Sequence, residues 1–205
     1  MKLHTFVSNM KSSDPKAFEH FIQTFSTPLF VHVRQFVEDE EQTGSQVKKI
    51  LSKWLKEIHT LEREDDIRDS LIQLVYENVP ETMIARAFDP AIDSDFDKLQ
   101  LNFATLSYLQ KQILLLSMYE EKDDLEIAVF LKKSLKKIRQ EKKAALQNFD
   151  HEEDIKHYFQ QYVQSLHIPK SFLNSIEQEA CILYQKKPEP SRLRFRISQL
   201  FQFFF

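Results

Sequence analysis

A single glycine, Gly44, serves all 205 residues. Hairpin turns, strand bulges and phosphate-cradling loops use glycine for positive backbone angles that other side chains disfavour. A chain nearly devoid of it is steered away from β-rich and nucleotide-binding folds, and an all-α fold is expected. The 42% hydrophobic content is enough to bury a core. One cysteine, Cys181, permits neither an internal disulfide nor a thiolate zinc cluster, which fits a reducing, cytoplasmic setting. The opening MKLHTFVSNMKSSD lacks an apolar run of signal-peptide length. Nowhere do about twenty uncharged apolar residues follow one another, so no membrane partner is expected.

Hydrophobic periodicity divides the chain. Ala17, Phe18, Phe21, Ile22, Phe25, Leu29 and Val33 recur at spacings of three and four, and Ser13 or Asp14 ahead of Pro15 makes a good helix start. VEDEEQTG reads as an acidic turn. Beyond it, Val47, Ile50, Leu51, Trp54, Leu55 and Ile58 line one side of a second helix, and Lys48, Lys49, Lys53 and Lys56 line the other. IRDSLIQLVYENV forms a third apolar segment. Pro80 and Pro90 bracket ETMIARAFD, and the acidic, weakly periodic run that follows makes 80–98 a linker with room for one short helix. The expected organisation is a helical domain over 1–79, a second over 99–149, and a helical carboxy-terminal extension over 150–205, broken near Pro169.

Within the second domain, Leu106, Leu109, Ile113, Leu116 and Tyr119 form one apolar face, and Ile127, Ala128 and Leu131 the next. After a short break, Leu135, Ile138, Ala145, Leu146 and Phe149 are surrounded by Lys132, Lys133, Lys136, Lys137, Arg139, Lys142 and Lys143, seven basic residues in twelve positions. Helix, short turn and basic helix is the layout of a helix-turn-helix, whose second helix enters the DNA major groove. A lysine-rich helical face is also ordinary solvated chemistry, and periodicity alone does not separate the two.

The stretch LSYLQKQILLLSMYEEKDDLEIAVFLKKSLKKIRQEKKAALQNF resembles, without a gap, the promoter-reading carboxy-terminal domain of extracytoplasmic-function sigma factors. Leu106, Gln110, Lys111, Ile113 to Leu116, Tyr119, Glu120, Glu126, Ile127, Ala128, Leu131, Ser134 and Ile138 fall on that family's positions. More loosely, DPKAFEHFIQTFSTPLF resembles its opening helix through Asp14, Ala17, Phe18, Phe21 and Leu29. Trp54 stands where its second helix often carries tryptophan, and IRDSLIQLV is similar to the helix leading into promoter melting. The resemblance implies a non-enzymatic subunit, without cofactor or metal, that joins core RNA polymerase and directs it to promoter DNA. It implies a sigma-type amino-terminal bundle followed by a helix-turn-helix domain. Lys133, Ser134, Lys136, Lys137, Arg139, Gln140 and Lys143 are the expected DNA-binding residues; Val47, Lys48, Leu51 and Trp54 are the expected polymerase-binding residues.

Three departures shape the expectation. Aligned on Trp54, the acidic residue and the glutamine and acid pair with which the family grips polymerase are here Gly44, Val47 and Lys48. The melting segment is poor in basic and aromatic residues: Asp69 and Glu77 repel phosphate, leaving Arg68 and Tyr76 as the plausible contacts. Lys132 replaces the family's turn glycine, acceptable where its backbone angles stay in the common region. The lysines suit phosphates better than bases, since arginine is the side chain that readily makes a bidentate guanine contact. Affinity with weak sequence preference is expected, and with it partial targeting by another protein docked on the extension. That protein is either a conventional DNA-bound activator or a nuclease-inactive RNA-guided one; an anti-sigma factor is a further partner the family implies. The alternative is a sigma-derived regulator or adaptor that no longer initiates transcription.

The extension lies outside the resemblance. Phe159, Tyr162, Val163, Leu166, Phe172, Leu173, Ile176, Ala180 and Leu183 are expected to pack, and His151, His157 and His167 lack metal-ligand spacing. RLRFRISQLFQFFF is either an association surface or a segment folded back on its own domain; membrane-surface attachment fits its chemistry but not its length. Asp65 and Asp66, like Glu152, Glu153 and Asp154, read as solvated runs, and no motif of an enzyme is present.

Overall fold

A computed structural model describes residues 15–37, 40–57, 66–79, 95–166, 168, 171–172 and 175–176. Every regular element among them is helical: α1 (Pro15–Arg34), α2 (Glu40–Glu57), α3 (Asp66–Asn78), α4 (Asp95–Thr105), α5 (Tyr108–Leu114) continuing as a π-helical turn (Leu115–Tyr119), α6 (Asp124–Phe130), α7 (Leu135–Leu146) and α8 (Glu152–Ser165). The sequence reading shortens two of these at their starts. α2 begins at Glu40, inside the stretch expected as an acidic turn, and α4 begins at Asp95, inside the expected linker. Acidic residues stand as readily in a turn as at a helix start, so the sequence does not mark either boundary. Ile58, Asp65, the ETMIARAFD stretch, His167, Pro169, Leu173, Ala180, Cys181, Leu183 and the phenylalanine-rich end lie outside the described residues, as do the side chains of Ala17, Phe18 and Asp66.

The first three helices pack around Trp54. Its indole stacks on Phe21 of α1 at 4.7 Å and donates from Nε1 to the Ser70 hydroxyl of α3 at 2.8 Å. That one side chain satisfies its polar atom while filling the space between three helices. Val31, Val33, Val47, Ile50, Leu51, Leu71 and Val75 complete this part of the core.

The core does not stop at residue 79. The same apolar cluster continues through Phe103, Leu106, Leu114, Leu115, Met118, Tyr158, Phe159, Phe172 and Ile176. A smaller cluster under the basic helix joins Ile113, Leu116, Ile127, Ala128 and Ile138, with Ile72 reaching in from α3. Polar contacts follow the same lines. The Tyr108 hydroxyl lies within reach of the Tyr76 and Val79 carbonyls at 3.1 and 2.9 Å, which ties α5 to the end of α3. Gln35, just past α1, accepts from the Lys111 ammonium at its carbonyl (3.3 Å) and from the Tyr158 hydroxyl at Oε1 (3.4 Å).

The extension closes the assembly. α8 lies against α4, the π turn and α1, with Tyr158 stacked near Phe103 at 5.8 Å and Phe159 against Tyr119 at 5.8 Å. Beyond the end of α8 at Ser165, Phe172 packs edge-on against Phe30 at 4.6 Å.

Candidate nucleic-acid interface

The helix-turn-helix is assembled by local chemistry before packing fixes it. Asp123 caps α6, its Oδ1 accepting from the Leu125 and Glu126 amides at 2.8 Å each, while Glu126 reaches back to the Asp123 amide at 2.8 Å. This reciprocal pair occupies amides that an isolated helix start leaves unbonded. Ser134 caps α7 by accepting from the Lys137 amide at 3.2 Å.

Between the two caps, the turn is closed by a pair of bonds, Lys132 amide to Val129 carbonyl (3.2 Å) and Lys133 amide to Ala128 carbonyl (3.0 Å). These define a left-handed helix stop with Lys132 at its centre. Lys132 accordingly has φ +53°. The condition under which lysine replaces the family's glycine without strain, angles in the common backbone region, is therefore not met. The turn keeps the geometry a glycine would accept, and lysine bears its cost.

All seven residues expected to touch DNA are solvent-facing: Lys133, Ser134, Lys136, Lys137, Arg139, Gln140 and Lys143. They are not equivalent. Lys137 bridges to Glu141 at 2.7 Å, and its ammonium, aided by Gln110, holds that carboxyl below the usual range. Arg139, with a side chain 66% exposed, and Lys142 both stand 3.4 Å from Asp124. Among the described residues, Lys132, Lys133, Lys136 and Lys143 have no carboxylate partner. The first turn of α7 also contains no acidic residue. Three unpartnered lysines thus gather where the helix dipole is already positive, an arrangement that opposes stability by a few tenths to about 1 kcal/mol per charge. A phosphate placed there relieves it.

The other expected sites are placed differently. Val47, Leu51 and Trp54 are 0%, 1% and 1% exposed. Their side chains serve the core in this arrangement; the half-buried Lys48 lies nearer the surface. Tyr76 packs against Phe36 and Phe130 with its hydroxyl on His32, so it offers no ring to an unstacked base. Arg68 is held by Glu120. Burial, the Glu120 carboxylate and Tyr108 push the Tyr76 phenol well above its ordinary range, so it remains a hydrogen donor.

A buried polar node escapes sequence reasoning altogether. His32 of α1 is fully buried and Glu120, just after the π turn, has a side chain 4% exposed. Glu120 Oε1 accepts from His32 Nε2 at 3.0 Å and from Arg68 Nη2 of α3 at 3.0 Å. Because a carboxylate only accepts, the shared proton sits on Nε2, and in the neutral ring Nδ1 accepts from the Tyr76 hydroxyl at 3.0 Å. Burial acts to raise the Glu120 carboxyl, but His32 and Arg68 outweigh it and hold the group below the usual carboxylate range. Beside the node, Lys122 pairs with Asp69 at 2.9 Å, so the acid expected to repel a DNA backbone is neutralised internally. The π turn is what delivers Glu120. Its wide bond from the Glu120 amide to the Leu115 carbonyl (3.0 Å) inserts an extra residue into the helix, and Glu121 turns the chain at φ +57°.

Among the described residues, no group of three or more histidines, cysteines and carboxylates is placed to hold a metal ion, and no helix is long and apolar enough to cross a membrane. The chain matches no known family model, no curated protein and no solved structure.

Proposed function

We propose that the protein is a divergent sigma factor of the extracytoplasmic-function type, a non-enzymatic subunit that binds core RNA polymerase and directs transcription initiation. Part of its targeting is supplied by another DNA-bound protein docked on the carboxy-terminal extension. The observation that carries the DNA-binding half is the unpartnered lysine cluster at the start of α7, set by a capped turn after α6. The carboxy-terminal resemblance supplies the link to polymerase. With lysines in the majority, α7 holds phosphates firmly and reads bases weakly.

The test is binding of the full-length chain to duplex DNA across a salt series. The logarithm of affinity should fall with the logarithm of salt at a slope of about −3 to −5, and Lys136→Ala should flatten it by about one unit. A folded chain that ignores DNA at low salt would remove this reading.

A second reading, a sigma-derived adaptor that no longer initiates, is favoured by the burial of Val47, Leu51 and Trp54. It differs in its outcome: protein partners would be bound while α7 variants changed nothing.

A further inference from the structure

The extension reaches the one position in α2 that carries no side chain. Phe172 is 6% exposed and Ile176 2%. The Phe172 ring sits edge-on to Phe30 of α1 at 4.6 Å, and its Cδ2 stands 3.6 Å from the point a Cβ on Gly44 would occupy. That spacing is ordinary van der Waals contact for a methyl group, whereas a longer side chain would run into the ring. The chain's single glycine therefore opens the seat for Phe172, although its φ is not in the left-handed region. Upstream, Tyr158 and Phe159 bind α8 to α4 and to the π turn, which carries the following segment across α1 towards α2. Gly44 and Lys48 lie one helical turn apart on that helix.

We propose that the segment bearing Phe172 and Ile176 is an intramolecular strap that occupies the Gly44 end of α2 and competes with core RNA polymerase for it. The competition rests on the polymerase-binding reading of α2 given above; the strap itself rests only on the packing of Phe172 and Ile176. Between α8 and the strap the helix is interrupted, since α8 ends at Ser165. Two apolar anchors at the end of such a connection form a contact that a larger interface can displace. A partner that captures the extension would then release α2, which links recruitment to polymerase binding. Apparent affinity for polymerase is then the intrinsic affinity multiplied by the fraction of chains in which the strap is released.

Two measurements on the full-length chain separate strap from competition. In a Cys181→Ser, Ile176→Cys background, maleimide labelling of the introduced, buried thiol should be slow, and Phe172→Ala should speed it about tenfold. In the otherwise unaltered chain, Phe172→Ala and Ile176→Ala should each tighten binding to purified core polymerase about tenfold, with circular dichroism confirming that both variants fold. If Phe172→Ala fails to fold, Gly44→Leu, whose side chain would run into the ring, replaces it in the labelling, and Ile176→Ala carries the polymerase measurement. Fast labelling of the thiol in the parent background would overturn the strap. Slow labelling with equal polymerase affinity in all chains would overturn the competition and leave the sigma-factor reading in place. Absence of polymerase binding in every folded chain would overturn that reading together with the competition, whatever the labelling showed.

Discussion

Lys132 and Glu120 are single residues held in states that their types do not prefer, for opposite reasons. Lys132 bears a left-handed backbone at the turn before α7. Lys132→Gly should raise stability by about 0.5–1 kcal/mol, the strain removed less the added freedom of the unfolded chain, as read from a urea midpoint. Because the turn bonds involve only backbone atoms, the same variant should leave α7 in place. Glu120 is instead stabilised in its charged form by His32 and Arg68. A folded-state carboxyl held below its unfolded value contributes stability that is fully present above the ordinary carboxylate pKa of about 4.3 and is lost as pH falls through the lower folded value. Glu120→Gln should therefore cost about 3 kcal/mol at neutral pH, since it leaves Arg68 and His32 facing an uncharged partner, and should flatten the acid limb of the stability profile. An acid limb as steep as that of the parent would remove Glu120 from this role. Neither residue announces itself in the sequence. The left-handed turn could be inferred only from the glycine normally found there, and the Glu120 node joins positions 32, 68, 76 and 120, whose meeting no local pattern encodes.

At the scale of elements, the helices carried by spacings of three and four were legible: α1, α3 and the α6, turn and α7 unit fall where periodicity puts them. The starts of α2 and α4 were not, because acidic residues look alike in a turn and in the first turn of a helix. The π turn was also hidden, since one extra residue shifts the apolar face without breaking it. α7 shows which part of a candidate site a sequence can supply. Its basic residues were legible as a set, and Lys137 and Glu141 stand four apart on α7 itself, but the holding of Arg139 and Lys142 was not legible, because it depends on Asp124 reaching them from α6. Asp124 draws on Arg139 and Lys142, both available to phosphate otherwise. Asp124→Asn should then tighten binding to duplex DNA several-fold at low salt and steepen the salt dependence by about one unit. Anisotropy titrations of the two chains at several salt concentrations would check it; parallel slopes would mean that Arg139 and Lys142 do not face the DNA.

Over the whole molecule, the apolar cluster runs from α1 to Ile176, and Ile72 of α3 completes the core beneath α7. The bundle, the helix-turn-helix and the first part of the extension share buried side chains instead of meeting at a polar surface. Heat or urea should therefore unfold the full chain in one transition, with the helical signal and Trp54 fluorescence changing together. Two separated transitions would show that the halves hold together only loosely. A shared core also fixes the direction in which α7 faces relative to α2, which bears on the proposed placement of polymerase on DNA. The most direct test of that role is a map of transcript 5′ ends in the host, comparing the parent gene, its deletion and a Lys133→Glu/Lys136→Glu variant shown to fold. The account predicts a discrete set of start sites that disappear in the deletion and in the charge variant alike. Start sites unchanged in both strains, or lost in the deletion yet kept by the variant, would contradict initiation directed through α7.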